Sequence, residues 1–522
     1  MKFIQGKDRN QITFFCLEEQ IEHNNEIRFI ELFVNSINLA DAGFKLDFIE
    51  NGRPAYHPAD LLKLFLYGYL NRIRSSRQLE KECKRNIELM WLMRGLVPDH
   101  NTIANFRKDN PQAIKNVFRS TVKLAQHFQL IGGKLIAGDG TKLRAQNSKK
   151  NNFNEKKIER HIAYIDNKLD EYNSILASED KDLSEEKKQE INSKINKHQL
   201  HKKQYQDFQK QLEATGEVQI STSDPESRQM IVRNNITEVA YNIQSTVDAK
   251  LNIPINYEVT NENDSKAMGS MLQQAVEVLG NNEFTAVFDK GYHTGSEFKK
   301  ADGLGVDVVV AIPDISSSSM APDPSYNVAN FVFNEEENVY ICPQGNALST
   351  NGKWYKKDRN YEGRKKQPPI LVQHYKTTAC KTCPLINSCT KNTRGRGRVI
   401  ERTEFAPYIE KNKLRMQQAG ELYRKRQAIV EHPFGIIKRQ WDFYYIMTKQ
   451  GISRASADVG LIFTAFNLRR IFNLLDPNLL KKFLKELGFI FSIQRSQFKA
   501  FYDTFFFKKW GSSSEINLIL SS

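Results

Sequence analysis

Three acidic residues lie far apart in the chain, but their surroundings suit a divalent-metal site. Asp139 stands between two glycines after an apolar run, Asp289 ends the apolar stretch 284–289, and Glu431 follows an apolar pair. Two Mg²⁺ ions about 3.5–4 Å apart can stabilise the attacking and leaving oxygens of a phosphoryl transfer, and Mg²⁺ prefers oxygen ligands. We therefore expect Asp139 to bridge two ions while Asp289 and Glu431 each hold one. Each acid alone is as readily a turn or capping residue, so the expectation depends on all three.

The net charge of the chain indicates which class of molecule carries the phosphoryl group. The 522-residue chain carries a formal net charge of +15, which favours a polyanionic partner, and nucleic acid is the simplest one. A merely basic, solvated surface is the alternative. No long uncharged apolar run indicates a membrane span, and the first residues lack the apolar core of a signal peptide, so we expect a cytoplasmic protein.

Glycines flank the acids at positions 138, 140 and 291. A glycine has no Cβ, and other groups can therefore come close to its backbone. We expect these three positions to let a DNA strand approach the carboxylates.

The residues around Glu431 add cations and an aromatic ring. Glu431 and Lys438 are seven residues apart, which places them on one face of a helix. We expect Arg426 and Lys438 to contact phosphates beside the metal site, and Tyr423 to contact the DNA backbone or stack. The alternative is an amphipathic helix with ordinary charges. Pro433 argues against it, because an interior proline costs ~3 kcal/mol.

Four of the six cysteines cluster in a basic, glycine-punctuated segment, where the stretch 351–402 has 14 Lys and Arg against three Asp and Glu. These four are Cys342, Cys380, Cys383 and Cys389. One C-x-x-C pair with two further cysteines suits a tetrahedral Zn²⁺ site. The spacing is uneven, with 37 residues before the pair and five after it, and free structural cysteines remain the alternative. Arg394, Arg396 and Arg398 follow the cluster and suit contacts to DNA phosphates.

Residues 1–125 are predicted to be helical, because apolar residues recur at helical spacing along the segment from Leu61. This region can be a helix-turn-helix-like DNA-binding domain, or a small bundle with generic surface charge. The basic residues that suggest DNA binding are Arg72, Arg74, Arg77, Lys84 and Arg85.

The remaining element order predicts an α/β catalytic domain over 126–475. We expect strands at 134–145, 239–248, 253–260, 284–289 and 306–312, and helices at 265–279, 295–301, 408–440 and 455–475, with Asp264 as the N-cap of the first helix. Two insertions interrupt this order: a coiled-coil helical hairpin at 151–215 and the Cys-rich, zinc-binding-like segment at 314–405. The order matches an RNase H-like mixed sheet flanked by helices. A helical, aromatic tail occupies 476–522.

Several stretches resemble insertion-sequence transposases of the DDE superfamily, in the branch with a Tyr-Arg-Glu-Lys signature. They are GDGTKLRAQNS (138–148), AVFDKGYHT (286–294) and YRKRQAIVEHPFGIIKRQW (423–441). Residues 56–83 and 98–107 resemble the InsH-type N-terminal domain of these enzymes. One departure concerns Arg426: the signature has three residues between Arg and Glu, whereas this chain has four.

The resemblance implies that Asp139, Asp289 and Glu431 form the catalytic triad and use Mg²⁺ or Mn²⁺. It also implies metal-dependent cleavage and strand transfer at the terminal repeats of the chain's own element, with target DNA as second partner and a homodimer in the synaptic complex. Some similar transposases carry a cysteine-rich insertion before the Glu, where this chain has one. A non-catalytic DNA-binding or regulatory protein on a decayed transposase scaffold is the alternative.

Overall fold

The computed structural model describes residues 16–46, 54–178, 184–233, 236–315, 319–359, 367–392 and 397–486, together with Asn10 and Phe14. The chain forms two compact units, each assembled from separate segments. The helical unit contains Met1–Gly132, Lys250–Val259 and His432–Ser522, and the sheet unit contains Gly133–Ala249 and Thr260–Glu431. Within the described residues no helix is long and apolar enough to cross a membrane.

The helical unit combines the predicted N-terminal helices with a long helix from the end of the chain. Its helices are Glu26–Asn35, Pro58–Leu70, Ser76–Cys83, Ile87–Leu92, His100–Asp109, Pro111–His127, Ile452–Leu474 and a last one at 477–486, with a 3₁₀ turn at Leu17–Gln20. Most of the strand Ile253–Thr260 also belongs to this unit. Buried rings of Phe118, Tyr257 and Phe463 pack against one another at its centre.

A buried ionic network joins three helices of this unit. Asp458 is fully buried and accepts hydrogen bonds from Arg74 at 2.5 Å, from Arg107 at 3.3 Å and from the Tyr69 hydroxyl. Removing a buried ion from such a group costs about 3–5 kcal/mol, because its partner is left uncompensated. Arg74 therefore holds the fold together rather than reaching for DNA.

Two of the other basic residues expected to form a DNA-binding face also form ion pairs within the protein. Lys84 pairs with Glu80 at 3.2 Å, and Arg85 pairs with Glu82 on the same helical stretch. Pairs at helical spacing stabilise a helix by only a few tenths of a kcal/mol. Of the expected set, Arg72 and Arg77 form no ion pair with a carboxylate among the described residues.

The sheet unit is built on a mixed sheet. Its strands are β1 (Leu135–Arg144), β2 (Arg228–Arg233), β3 (Ile236–Asp248), β4 (Thr285–Phe288) and β5 (Asp307–Val310). Along the sheet they follow the order β2-β3-β1-β4-β5. β1 pairs antiparallel with β3 and parallel with β4, and β4 pairs parallel with β5. The prediction of an α/β protein with a mixed sheet is confirmed.

Helices flank this sheet, and one of them carries Glu431. The flanking helices are Met268–Leu279, Gly295–Gly303, Ala406–Gln418, Gly420–Arg424 and Arg426–Gly435. A single helix was expected over 408–440, but it is broken near Ala419 and Lys425 and passes into a π-helical segment at Ile436–Gln440. Pro433 lies just before that segment and lacks the N–H needed for regular helical pairing, which accounts for a distortion at this point.

The two inserted segments have separate small cores. Helices Glu155–Ser178 and Glu185–Thr215 pack together near their base, where Ile158, Leu212 and Phe153 are buried. The short strands Asn152–Phe153 and Ile220–Ser221 pair below them.

The Cys-rich segment forms small antiparallel sheets instead of long elements. Their strands are Val332–Asn334, Val339–Ile341, Ala347–Leu348, Tyr355–Lys357, Ile370–Tyr375 and Ile400–Thr403. Its core includes Tyr340 and Tyr375, and Cys342 and Cys389 pack against that core.

Candidate active site

Asp139 and Asp289 lie side by side because their strands are parallel neighbours. Ala137 of β1 is paired with Val287 of β4, and each aspartate follows its paired residue by two positions. Side chains two apart on a strand point to the same face, so both carboxylates emerge on one face of the sheet. A backbone N–H orients each: Gly140 donates to Asp139 at 2.8 Å, and Gly291 donates to Asp289 at 2.7 Å.

Negative charge is concentrated around Asp139. Burial is the main factor that raises the pKa of Asp139, to about 6, and the charges of Asp289 and Asp264 raise it further. Arg426 opposes them, with its Nη1 atom 3.3 Å from Asp139 Oδ2. A carboxylate whose charge is so poorly compensated suits binding of a cation. Arg426, expected on DNA phosphates, instead contacts the acid.

Glu431 sits on the helix that covers this face of the sheet. Ile429 and Val430 of that helix pack with Val287 and Val309 of the sheet. Glu431 is the next residue; its side chain is exposed and accepts a hydrogen bond from Gln427 at 2.8 Å.

Within the part of the chain that the structure describes, no three His, Cys, Asp or Glu side chains are arranged to hold a metal. The structure therefore brings the two aspartates together and places Glu431 on the covering helix, without assembling the three into a ready metal cluster.

Asp264 is a member of the site that the sequence did not indicate. The expected helix begins at Met268 rather than at 265, and Asp264 does not cap it: the residue before the helix makes no side-chain cap. The carboxylate instead accepts hydrogen bonds from Lys142 at 3.2 Å and from Asn242 and Gln244 at 2.7 Å each. The N-cap prediction is wrong. The carboxylate is held by side chains of β1 and β3 instead of by the backbone of the helix, and the local sequence does not show these tertiary contacts.

Burial opposes the charge of this carboxylate. The Lys142 ammonium and the amide donors nevertheless hold the pKa of Asp264 below its usual range. Asp264 therefore stays ionised beside Asp139 and adds to the negative charge of the site.

The glycines in β1 make room for protein side chains. A Cβ at position 140 would lie 2.6 Å from Asp264 Oδ1, and one at position 138 would collide with the ring of Phe288. These positions were expected to admit a DNA strand. The structure gives a different reason for a glycine at both positions: the Phe288 ring and the Asp264 carboxylate occupy the space that a Cβ would take.

The other predicted DNA contacts are scattered. Tyr423 packs against the sheet core beside Ile429, and Lys438 lies half-buried in the π-helical segment. Arg398 donates to the Cys389 carbonyl at 3.2 Å. Arg394 and Arg396 lie outside the described residues.

The four clustered cysteines do come together. All four are free thiols, and they line one cavity of about 30 Å³. Burial raises the pKa of the Cys389 thiol, and the three other cysteines raise it further against the opposing charge of Arg398. Their sulfur atoms do not stand in a metal-binding arrangement among the described residues.

Comparison with known proteins gives two family matches. Residues 15–109 match the model described as a transposase domain (DUF772), and residues 341–472 match a transposase DDE domain. Glu431 and the four clustered cysteines lie inside the second match, whereas Asp139 and Asp289 lie between the two.

Comparison with solved structures also gives matches, one of them to a transposase complex. A piggyBac transposase synaptic complex with hairpin DNA, solved by cryo-EM, matches at 10% identity and a TM-score of 0.29, covering 88% of this chain and 78% of its own. A TM-score that low does not establish a shared fold. No curated protein matches the chain. The two domain matches support an insertion-sequence transposase of the DDE superfamily.

Proposed function

We propose that this protein is a metal-dependent DNA transposase that cleaves and joins DNA at the ends of its insertion sequence. The observation that carries the proposal is the pair Asp139 and Asp289 at neighbouring parallel strands, under the helix that bears Glu431. Carboxylates from two strand ends and a covering helix supply the oxygen ligands that Mg²⁺ requires.

The residues fit a divalent cation. Three ionisable carboxylates, those of Asp139, Asp289 and Asp264, act on one another across the site, and Arg426 is the cation that opposes them at Asp139. Asp139 and Asp289 would hold Mg²⁺ or Mn²⁺, with Glu431 completing the set on movement of its exposed side chain. The chemistry that such ions would supply is activation of a water or a 3′-hydroxyl for attack and stabilisation of the departing oxygen.

The chain's own residues position these ligands. Gly140 and Gly291 fix the orientation of the two aspartates through their N–H groups. Arg426 compensates the charge of Asp139, and a metal held by Asp139 would compete with this guanidinium, which could then bind a DNA phosphate.

We also propose a structural Zn²⁺ in the Cys-rich segment. The support is the cavity of about 30 Å³ lined by all four cysteines. Thiolates bind Zn²⁺ tetrahedrally at about 2.3 Å, so rotation of the side chains within that cavity would form the site. The ion would join the small sheets of this segment, as structural zinc does in domains with small cores.

The net charge and the transposase domain matches indicate the binding partners of this protein. We propose double-stranded DNA, as terminal repeats and as target, and a homodimer in the synaptic complex. The net charge of +15 supports a polyanionic partner.

Strand cleavage by the purified full chain tests the proposal. Supercoiled DNA bearing the element's ends should be nicked with Mg²⁺ or Mn²⁺ and remain intact without either. Asp139→Asn should abolish nicking while DNA binding persists. Asp207→Asn makes the same chemical change at an exposed position of the helical hairpin and should leave nicking unchanged. Full nicking by Asp139→Asn would refute the assignment, and absence of nicking by the wild type would favour the decayed-scaffold alternative.

A further inference from the structure

A cluster of arginines lines a cavity in the helical unit. A cavity of about 460 Å³ opens between the turn after Pro58–Leu70, the π-helical segment and the long helix Ile452–Leu474. Its lining includes Arg72, Arg469 and Arg470 and contains no carboxylate among the described residues. A cavity of this size accommodates a nucleotide-sized group.

Arg470 has no carboxylate partner in the part of the chain that the structure describes. Its Nη2 atom donates to the Leu251 carbonyl at 2.7 Å, but its buried Nε has no hydrogen-bond partner among the described residues. Burial lowers the pKa of Arg470, and the charge of Arg470 in turn acts against protonation of His432. A buried donor without an acceptor is costly, at about 1–3 kcal/mol, unless a ligand satisfies it.

Of the three arginines that line the cavity, Arg469 is the one whose charge is compensated by a carboxylate. It pairs with Glu26 at 2.9 Å and donates to the Leu70 carbonyl at 3.3 Å. It therefore braces the wall of the cavity, and the free positive charge comes from Arg72 and Arg470.

Arg72 reaches the cavity from an unusual backbone conformation. Its φ is 64°, in the left-handed region that a residue with a long side chain seldom occupies. Its side chain is exposed at the cavity and forms no hydrogen bond or ion pair with the described residues. The exposed amides of Gln440 and Asn473 on the same lining add further hydrogen-bond donors.

We propose that this cavity binds a backbone phosphate of a DNA strand, through Arg72 and Arg470. Guanidinium groups bind phosphate with paired, charge-assisted hydrogen bonds, which matches two arginines that lack an anion. The proposal rests on DNA being the partner of this protein, and it adds a contact point on the helical unit distinct from the carboxylates that would perform the chemistry.

Binding of a fluorescent 20-nucleotide oligo(dT) to the full chain, without added Mg²⁺, tests the proposal by fluorescence anisotropy across a salt series. Each lost phosphate contact lowers the slope of log affinity against log salt by about 0.7 for a single strand. The double variant Arg72→Asn with Arg470→Gln removes the contact to one phosphate, so it should bind roughly tenfold more weakly and lose about 0.7 of that slope. Asn is chosen at position 72 because it tolerates a positive φ.

Two further variants keep the result interpretable. Arg454→Gln removes the same charge from an exposed position on the same long helix and should leave affinity and slope unchanged. Arg72→Asn alone changes only an exposed turn and should lose about half of the slope effect, which covers the case that the Arg470 variant fails to fold. Equal weakening by Arg454→Gln, or wild-type binding by the double variant, would overturn the proposal.

Competition identifies the source of the phosphate. Unlabelled oligo(dT) should displace the probe at micromolar concentrations, whereas dTMP and inorganic phosphate should require far higher ones. Displacement by dTMP as effective as that by the oligonucleotide would overturn assignment to a DNA strand in favour of a free nucleotide. This assay contains no added metal and measures binding alone, whereas the catalytic proposal is tested by nicking with Mg²⁺ or Mn²⁺, so failure of this proposal and failure of the catalytic one are distinguishable.

Discussion

The guanidinium of Arg426 lies 3.3 Å from Asp139 Oδ2 and makes an ion pair between the covering helix and β1. This pair occupies the carboxylate that the proposed metal needs, so metal binding and the ion pair compete. The helix that carries Glu431 begins at Arg426. Loss of the ion pair on metal binding would therefore also affect the position of Glu431, the proposed third ligand.

Arg426→Gln should strengthen metal binding. Loss of an opposing charge at 3.3 Å leaves the carboxylates less compensated, which favours a divalent cation by about 1.4 kcal/mol, or roughly tenfold in Kd. Isothermal titration with Mn²⁺ measures this directly. Arg424→Gln, at an exposed neighbouring position, should leave the Kd unchanged. Weaker metal binding by Arg426→Gln would show that the pair orients Asp139 for the ion instead of competing with it.

Metal-free stability should depend on the charge of Asp139. Its pKa of about 6 lies above the usual value of 3.8, so the folded chain holds the proton more tightly than the unfolded chain does. Between those two values stability rises as pH falls, and above pH 6 the ionised group destabilises the fold by roughly 1–3 kcal/mol.

Asp139→Asn should therefore raise the melting temperature at pH 7.5, and the gain should shrink as the pH approaches 5. Differential scanning fluorimetry in EDTA-free buffer without divalent ions measures both values. An equal gain at pH 5 and pH 7.5 would mean that the substitution acts by some route other than charge.

Asp458 should carry the opposite pH dependence. Burial raises its pKa, but Arg74, Arg107 and the Tyr69 hydroxyl together hold that pKa below the usual range. The resulting stability is present above pH 4 and is lost as the pH falls through the lowered value. Asp458→Asn should cost about 3–5 kcal/mol at pH 7, since it leaves two buried arginines uncompensated.

Urea denaturation followed by circular dichroism measures that cost. Asp109→Asn, an exposed change in the same unit, should alter stability by less than about 0.5 kcal/mol. A loss for Asp458→Asn as small as this control's would show that the network contributes little.

Zinc content tests the cysteine cavity. The purified chain should contain one zinc per molecule by mass spectrometry, and Cys380→Ser with Cys383→Ser should remove it and lower the melting temperature. Cys16→Ser, at an exposed position away from the cavity, should retain the metal. If the wild-type chain contains no zinc after purification without chelators, the four residues are free structural cysteines, which is the alternative interpretation.

The sequence predicted those parts of the site that depend on local pattern. The apolar runs that lead into Asp139 and Asp289 were recognisable because a strand buried on both faces has a continuous apolar sequence. Asp264 was missed because its partners, Lys142, Asn242 and Gln244, are defined only once β1 and β3 are paired. The same limitation hid the ion pair between Arg426 and Asp139, since no spacing in the chain relates those two residues.

The helix boundaries failed for a related reason. Helical periodicity continues across Ala419 and Lys425, and neither residue forbids a helix, so the breaks seen there depend on tertiary packing. Pro433 was recognised as unusual, but whether a proline kinks, ends or distorts a helix is decided by its neighbours.

Gly140→Ala tests whether Asp264 matters to the site. The added Cβ would lie 2.6 Å from Asp264 Oδ1, so either the carboxylate or β1 must move. Because β1 carries Asp139, strand cleavage should fall by at least tenfold while the chain stays folded. Gly303→Ala has open space around the new Cβ and serves as the control.

A second substitution identifies which group gives way. Asp264→Ala removes the atom that the new Cβ meets, so the double variant with Gly140→Ala should be less impaired than the sum of the two single changes predicts. Such coupling, measured as the non-additive part of the change in cleavage rate, would show that contact with Asp264 causes the defect. Strict additivity would instead attribute the loss to Gln244 and Asn242, whose side chains approach the same Cβ position.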